Sequence, residues 1–322
     1  MKHLRSLFAV VGLLAMSIPA GTTFAAPMTA REGFVQVPGG PVWYRIFGSG
    51  TKTPLLILHG GPGSRSCSFE PLAKLVSTQR PVVVYDQLGS GRSGRPMDSA
   101  LWTVDRSIRE LEAVRSALGL NKVHLMGHSW GAGLATDYVL KTRPHGVESL
   151  VLAGPYLSTK IWIEDADLLR TQLPRDVQDA LTRNERAGTV HSKEYEDATQ
   201  VFYSHFLYHG AKPELPASCA EAPASSEVYE LMWGPTEFNA TGRLLGFDVT
   251  PGLGKLTMPV LLVTGRYNEA RPETVAKFQA MIPGARAAIL EHSGHMAPLE
   301  EYGEFARILE AFLEQVEERA GR

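Results

Sequence analysis

The sequence predicts an α/β fold with a doubly wound, mostly parallel sheet and an inserted helical cap. Short, wholly apolar runs, typical of strands buried on both faces, alternate with stretches of helical apolar spacing. Polar or glycine-rich motifs follow several of these runs, at the strand ends where such sheets bind ligands. From 157 to 256, charged and aromatic helical segments punctuated by prolines replace the alternation.

The first 25 residues have the pattern of a cleaved signal peptide. Lys2 and Arg5 precede an apolar stretch at 7–18, and Thr23 and Ala25 supply small residues before a cleavage point. We therefore expect the mature chain to begin near Ala26 and to be secreted or periplasmic. An uncleaved membrane anchor is the alternative, although the apolar stretch is short for a transmembrane helix.

Composition and charge narrow the classes of partner. The 322 residues carry a formal net charge of −2, so neither nucleic acid nor an anionic membrane surface is expected to bind. An oxidising compartment would permit a disulfide between the two cysteines, Cys67 and Cys219. The sequence does not show that they are close, so our default expectation is two unpaired cysteines. Their spacing suits no metal site, and we expect no cofactor.

The first elements follow from local pattern. Residues 34–37 and 42–46 flank a Pro-Gly-Gly turn signal and predict an antiparallel hairpin. Leu55–Leu58 and 81–85 are apolar and predict two buried strands. The motif His-Gly-Gly-Pro-Gly follows the former and Asp-Gln-Leu-Gly-Ser-Gly-Arg-Ser follows the latter. Apolar residues at helical spacing then predict a helix over 104–118.

Residues 127–131 read Gly-His-Ser-Trp-Gly, the pattern of a nucleophile elbow. A strand-like run at 122–126 precedes them, and helical apolar spacing follows at 132–140. This strand–turn–helix context is what the motif requires. We expect both flanking glycines because the turn leaves no room for side chains there.

The second half of the chain returns to the alternation after the inserted segment. A strand at 149–153 precedes the insert, and 259–264 and 287–290 predict two more strands, with helices at 273–281 and 301–318. We therefore divide the chain into a signal peptide (1–25), an α/β-hydrolase core (26–156 and 257–322) and a helical cap (157–256).

The elbow serine, Ser129, is the candidate nucleophile and needs a base. In α/β hydrolases the order along the chain is serine, acid, histidine. His295 lies in the loop after the last predicted strand and is our preferred base, with His292 as the competitor. The backbone N–H groups of Gly61 and Trp130 are the expected oxyanion-hole donors.

Asn268 occupies the position where an aspartate is expected, after the strand at 259–264. Its carbonyl oxygen can accept the imidazole N–H, but it supplies no full charge, and its amide can also donate, which would favour the wrong tautomer. Glu269 is the alternative acid.

With these residues assembled, the chain resembles the proline iminopeptidase family over nearly all of its mature length. The resemblance rests on segments 59–63, 86–93 and 127–131 and on Trp-Gly-Pro-Thr-Glu-Phe at 233–238, the most family-specific of the four. It is closest to the branch that includes the tricorn-interacting aminopeptidase, whose members trim N-terminal residues, often proline. The resemblance implies that Glu237 and Glu269 bind the substrate's free α-amine and that the cap restricts access to short peptides.

Three functions remain open at this point. The first is a serine aminopeptidase that releases an N-terminal residue, preferably proline, from short peptides with a free N-terminus. The second keeps the fold but acts on an ester, lactone or amide without a free amine. The third, motivated by Asn268, is a catalytically impaired binding protein. The oligomeric state is not predicted.

Overall fold

The structure is a computed structural model that describes residues 32–321, so the predicted signal peptide lies outside the described residues. One eight-stranded sheet forms its centre. The strands are β1 (Glu32–Val37), β2 (Gly40–Phe47), β3 (Leu55–Leu58), β4 (Val82–Tyr85), β5 (Val123–His128), β6 (Val147–Ala153), β7 (Val260–Gly265) and β8 (Arg286–Leu290). The helices are α1 (Glu70–Val76), α2 (Val104–Ala117), α3 (Trp130–Thr142), α4 (Thr159–Arg170), α5 (Arg175–Ala187), α6 (Lys193–Phe202), α7 (Ser226–Met232), α8 (Pro272–Met281), α9 (Ala297–Glu300) and α10 (Tyr302–Ala320).

The strand order across the sheet is β1-β2-β4-β3-β5-β6-β7-β8. β1 and β2 form the predicted antiparallel hairpin, and β2 also pairs antiparallel with β4. Every other neighbouring pair is parallel, from Leu55 opposite Val82 to Gly265 opposite Leu290. The predicted fold class, an α/β-hydrolase sheet with a mostly parallel order, is confirmed.

Helices cover both faces of the sheet, which explains the continuous apolar strands. On one face, Leu72 of α1 and Leu309 of α10 pack in one cluster with Ile57. On the other, Leu111 of α2 and Leu134 of α3 belong to a larger cluster that also reaches the cap. The sequence did not predict α1, because seven residues are too few for helical periodicity to show.

The residues between β6 and β7 contain helices α4 to α7. β6 and β7 are neighbours in the sheet, so this segment leaves the sheet and returns beside its starting point. It has a small apolar core of its own, with Leu181, Phe202 and Phe238 buried together. Within residues 32–321, no helix combines the length and apolar character needed to cross a membrane.

The expectation of two unpaired cysteines is wrong. Cys67 and Cys219 form a disulfide with their Cα atoms 5.4 Å apart. The bond joins a turn after β3 (Ser66–Phe69) to a turn in the cap (Ala217–Glu221). The cysteines are 152 residues apart in sequence, and only the folded cap brings them together.

Candidate active site

The candidate site lies where the strand order reverses. β4 lies on one side of β3 and β5 on the other, so the loops after β3 and β5 diverge and leave a crevice at the carboxyl edge of the sheet. The glycine-rich loop 59–63 enters it from β3, and Ser129 enters it from β5. Topology alone therefore brings two of the predicted motifs together.

Ser129 lies in the sharp turn between β5 and α3. Its φ of 54° and ψ of −122° are unusual for a residue with a side chain, and its side chain lines the cavity described below. A Cβ at Gly127 would collide with the Gly131 carbonyl, and one at Gly131 with the Leu58 carbonyl. The close approach explains both glycines of the motif.

His295 and Asn268 meet at the ends of β8 and β7. His295 Nδ1 lies 2.9 Å from Asn268 Oδ1, and both residues are buried. The two loops are held together by a hydrogen bond in which the Tyr267 N–H donates to the Ser293 carbonyl, 3.1 Å away. Asn268 therefore occupies the orienting position beside the candidate base, as its place in the sequence predicted.

The orientation of the Asn268 amide is fixed by the main chain. The Ala270 N–H donates to Asn268 Oδ1 over 2.7 Å, so the oxygen, rather than the amide nitrogen, faces that donor. The same oxygen can only accept from His295, and Nδ1 must therefore carry the ring proton. This leaves Nε2 as the free base. The concern that asparagine would favour the wrong tautomer is removed by this contact.

Glu269 lies on the other side of the imidazole ring. Its Oε1 is 3.9 Å from His295 Nε2, whereas Nδ1 faces Asn268. Glu269 is thus not at the orienting position, and the geometry disfavours it as a replacement acid. His292, the competing base, is exposed, and its backbone N–H donates to Glu301 Oε2 at 3.0 Å.

His128, the residue before Ser129, packs directly on the candidate base. The two imidazole centroids are 4.6 Å apart, and His128 Nε2 donates to the His295 carbonyl over 2.9 Å. Burial lowers the pKa of His128 to about 4, so its ring is neutral near pH 7. Burial, with His128 adding to it, also holds the pKa of His295 well below its usual value, which keeps His295 available as a base.

Gln87 connects the two segments that carry the expected oxyanion donors. Its side-chain amide donates to the His59 carbonyl at 2.7 Å, and its Oε1 accepts from Trp130 Nε1 at 3.0 Å. Gly61 follows His59 by two residues and lines the same cavity as Ser129. Trp130 is the first residue of α3, so no preceding turn of helix supplies a carbonyl for its backbone N–H.

Two carboxyl groups lie near this site, Glu237 from the cap and Glu269 from the loop between β7 and α8. Glu237 follows α7, and Glu269 is only 2% exposed. Within residues 32–321, neither pairs with a lysine or arginine, and both Glu269 oxygens have no hydrogen-bond partner. Burial raises the pKa of Glu237 to about 7, partly opposed by the Tyr229 hydroxyl. Burial and the nearby Glu237 raise the pKa of Glu269 well above its usual value. Within residues 32–321, the two carboxyl groups thus have no cation beside them to stabilise their ionised forms.

A cavity of about 360 Å³, a size suited to a small ligand, lies beside the candidate nucleophile. Ser129, His295, Gly61 and Glu237 line it. A narrow extension beside Ser129 and Glu237 is walled by aromatic and apolar side chains, namely Tyr156, Trp162, Trp233 and Leu244.

Several residues of the site were not singled out from the sequence. The aromatic wall comes from two separate parts of the chain: Tyr156 contacts Trp162 and Trp233 with ring centroids 5.7 and 5.3 Å apart. Trp233 lies within segment 233–238 and Gln87 within segment 86–93, and both segments carried the resemblance. The sequence therefore pointed to these two segments but not to the two residues. Nothing in the sequence pointed to Tyr156 or Trp162.

Known proteins are similar to this chain in both fold and sequence. The family model described as the alpha/beta hydrolase fold matches residues 53–302. A proline iminopeptidase of Heyndrickxia coagulans is 41% identical over 88% of this chain and 99% of its own length. The chain belongs to the proline iminopeptidase family of α/β hydrolases.

Solved structures agree with the family assignment. The crystal structure of a proline iminopeptidase from Mycobacterium smegmatis is 31% identical, covers 90% of this chain and 99% of its own, and has a TM-score of 0.79. The crystal structure of VinJ is 32% identical, covers 90% of this chain and 100% of its own, and has a TM-score of 0.81.

Proposed function

We propose that this member of the proline iminopeptidase family is a serine aminopeptidase that releases N-terminal proline from short peptides. The observation that carries the proposal is a pair of carboxyl groups near the nucleophile, the buried Glu269 and the half-buried Glu237, that no lysine or arginine within residues 32–321 neutralises. Two partly neutralised carboxylates without a cation are costly to bury. A substrate ammonium supplies the missing charge and fixes the N-terminus beside Ser129 by charge-assisted contacts.

The catalytic sequence follows from the arrangement around His295. Ser129 Oγ attacks the carbonyl carbon of the first residue while His295 Nε2 takes the hydroxyl proton. The Gly61 and Trp130 N–H groups hold the oxyanion of the tetrahedral intermediate. His295 then returns the proton to the leaving amine, and a water molecule releases the acyl group by the same steps in reverse order. Asn268 orients the ring throughout.

The preference for proline is supported by the aromatic extension of the cavity. Tyr156, Trp162 and Trp233 offer an apolar wall to a side chain attached beside the bound amine. A pyrrolidine ring is compact and apolar, and it carries its ammonium within the ring. The recess itself encloses only about 10 Å³, so such a ring would pack against its aromatic wall at the mouth, next to Glu237, rather than enter it.

Comparing proline 4-nitroanilide with its N-acetyl derivative tests the proposal. We expect turnover of the free amine and a loss of at least about a hundredfold in kcat/KM on acetylation, since a charged hydrogen-bond partner is removed. Glu237→Gln with Glu269→Gln should reduce the difference, and Ser129→Ala should abolish turnover. Equal turnover of both anilides would exclude the amine site and favour a hydrolase for substrates without a free amine.

We also propose that the chain is exported after removal of residues 1–25. The Cys67–Cys219 disulfide supports an oxidising compartment, because such bonds are rare in reducing cytosol. Expression of the full chain in its host, followed by fractionation and N-terminal sequencing, should find protein beginning at Ala26 outside the cytoplasm. Retention of Met1 in the cytoplasmic fraction would refute export.

A further inference from the structure

The cavity carries charges of both signs, and they differ in depth. Glu237 is half-buried and also lines the narrow extension beside Ser129. Arg65 and Lys212 line the main cavity but not that extension, and Lys212 is exposed. Glu237 therefore lies at the inner, nucleophile end of the cavity, and the two positive groups lie toward solvent.

Neither cation is committed to another charge. Within residues 32–321, Arg65 and Lys212 form no ion pair; the Arg65 guanidinium donates one long hydrogen bond, of 3.3 Å, to the Ala222 carbonyl. The Lys212 Nζ lies 5.9 Å from the centre of the Tyr208 ring. Both side chains retain donors for a ligand, since a guanidinium has five N–H groups and an ammonium three.

The position of Arg65 is set by the disulfide. Arg65 precedes the turn that contains Cys67, and Ala222, which it contacts, packs in one small cluster with Cys67 and Cys219. The bond therefore holds the two chain segments between which Arg65 lies. A cation fixed in this way loses less freedom on binding than a side chain on a mobile loop.

We propose that Arg65 and Lys212 bind the C-terminal carboxylate of di- and tripeptides, so that the cavity selects short zwitterionic substrates. The inference rests on the proposed aminopeptidase function. With the substrate amine at the two glutamates and its scissile carbonyl at Ser129, the leaving part extends toward solvent. Each residue beyond the scissile bond adds at most about 3.5 Å, so the carboxylate of a dipeptide or tripeptide remains within the cavity and that of a long peptide does not.

The test compares Pro-Ala with Pro-Ala-amide, which differ only in the terminal charge. We expect the wild-type protein to prefer the free acid by about threefold to tenfold in kcat/KM, the range for partly exposed ion pairs. The preference should fall as salt is raised, because screening weakens exposed pairs. Arg65→Gln with Lys212→Gln should abolish the preference by lowering kcat/KM for Pro-Ala to the value for Pro-Ala-amide.

Lys255→Gln is the matched control, because Lys255 is exposed and does not line the cavity. It should keep the full preference. Equal turnover of acid and amide by the wild-type protein would overturn the inference while leaving the aminopeptidase function intact. A preference that survives in the double variant would overturn it too. Failure to cleave either dipeptide or the anilide would instead reject the proposed function.

Discussion

Replacing Asn268 with aspartate tests how His295 is activated. In the structure Asn268 Oδ1 already accepts from His295 Nδ1 and from the Ala270 N–H, so the substitution adds a charge without changing the orientation of the ring. The carboxylate stabilises the imidazolium that forms when His295 takes the serine proton. We therefore expect kcat on proline 4-nitroanilide to increase.

The size of the increase shows whether the substitution acts by adding a charge beside His295 or by changing which ring nitrogen carries the proton. A hydrogen bond to a charged group contributes about 1–2 kcal/mol more than a neutral one, which corresponds to about fivefold to thirtyfold in rate. This is an upper range, because the new carboxylate would be buried beside Glu269. Burial already raises the pKa of that glutamate. In a serine protease the reverse exchange costs about 10⁴-fold, largely because the wrong tautomer results. Here Ala270 already selects the productive one.

The pH profile supplies a second measurement on the same variant. The pKa of wild-type His295 is well below its usual value, so the neutral base persists to low pH. A neighbouring carboxylate favours the charged ring and raises that pKa. The acid limb of kcat/KM in Asn268→Asp should therefore move to higher pH.

Asn121→Asp, at an exposed position, is the control for added negative charge and should change neither rate nor profile. An increase approaching 10⁴-fold would show that wild-type His295 carries its proton on the wrong nitrogen, and the orientation argument would be refuted. Unchanged rate and profile would place the orienting group elsewhere.

The remaining predictions concern the amine site, the oxyanion loop and the disulfide. Because burial raises the pKa of Glu237 to about 7, its carboxylate takes up a proton as the pH falls through that value, and KM for proline 4-nitroanilide should rise; a KM that stays flat between about pH 6 and 8 would contradict this assignment. Glu269→Gln should raise KM about tenfold or more, measured on the same anilide, with little effect on its N-acetyl derivative. Gln87→Leu should lower kcat about tenfold with KM nearly unchanged, since it removes the side-chain hydrogen bonds to both segments that carry the oxyanion donors; a proportionate loss in folded protein by circular dichroism would indicate a structural role instead. Cys67→Ser with Cys219→Ser should lower the Tm, with a loop-closure contribution of at most about 5 kcal/mol for a sequence separation of 152, and a reducing agent should lower the Tm of the wild-type protein but not that of the variant.

The sheet was predictable because its strands are encoded locally. Leu55–Leu58 is buried throughout, so its apolar run alone identifies it, and a turn signal identifies the hairpin. Ser129 was predicted as the nucleophile because the elbow needs glycines at fixed spacing. His295 and Asn268 were predicted as its partners because they follow particular strands, and the structure places these two side chains in contact. These signals depend on neighbours in the sequence.

The features that the sequence did not predict depend on contacts between distant segments. The disulfide requires the fold of the whole cap. The tautomer of His295 depends on a backbone N–H, which has no side-chain signature. Tyr156 and Trp162 form one wall with Trp233 only after the cap has returned to the sheet. Gln87 lay within a recognised motif, but its two hydrogen bonds join loops that the motif does not mention.

The hydrogen bond from Ala270 to Asn268 has a consequence for how this site tolerates mutation. The donor belongs to the peptide backbone, so an exchange of side chain at 270 leaves it in place, and proline is the one residue that removes it. Ala270 is buried, so any other side chain that its site accommodates without moving the loop keeps this donor in place. An asparagine in the place of an acid is robust here because the main chain, which mutation rarely alters, decides which end of the amide faces the imidazole.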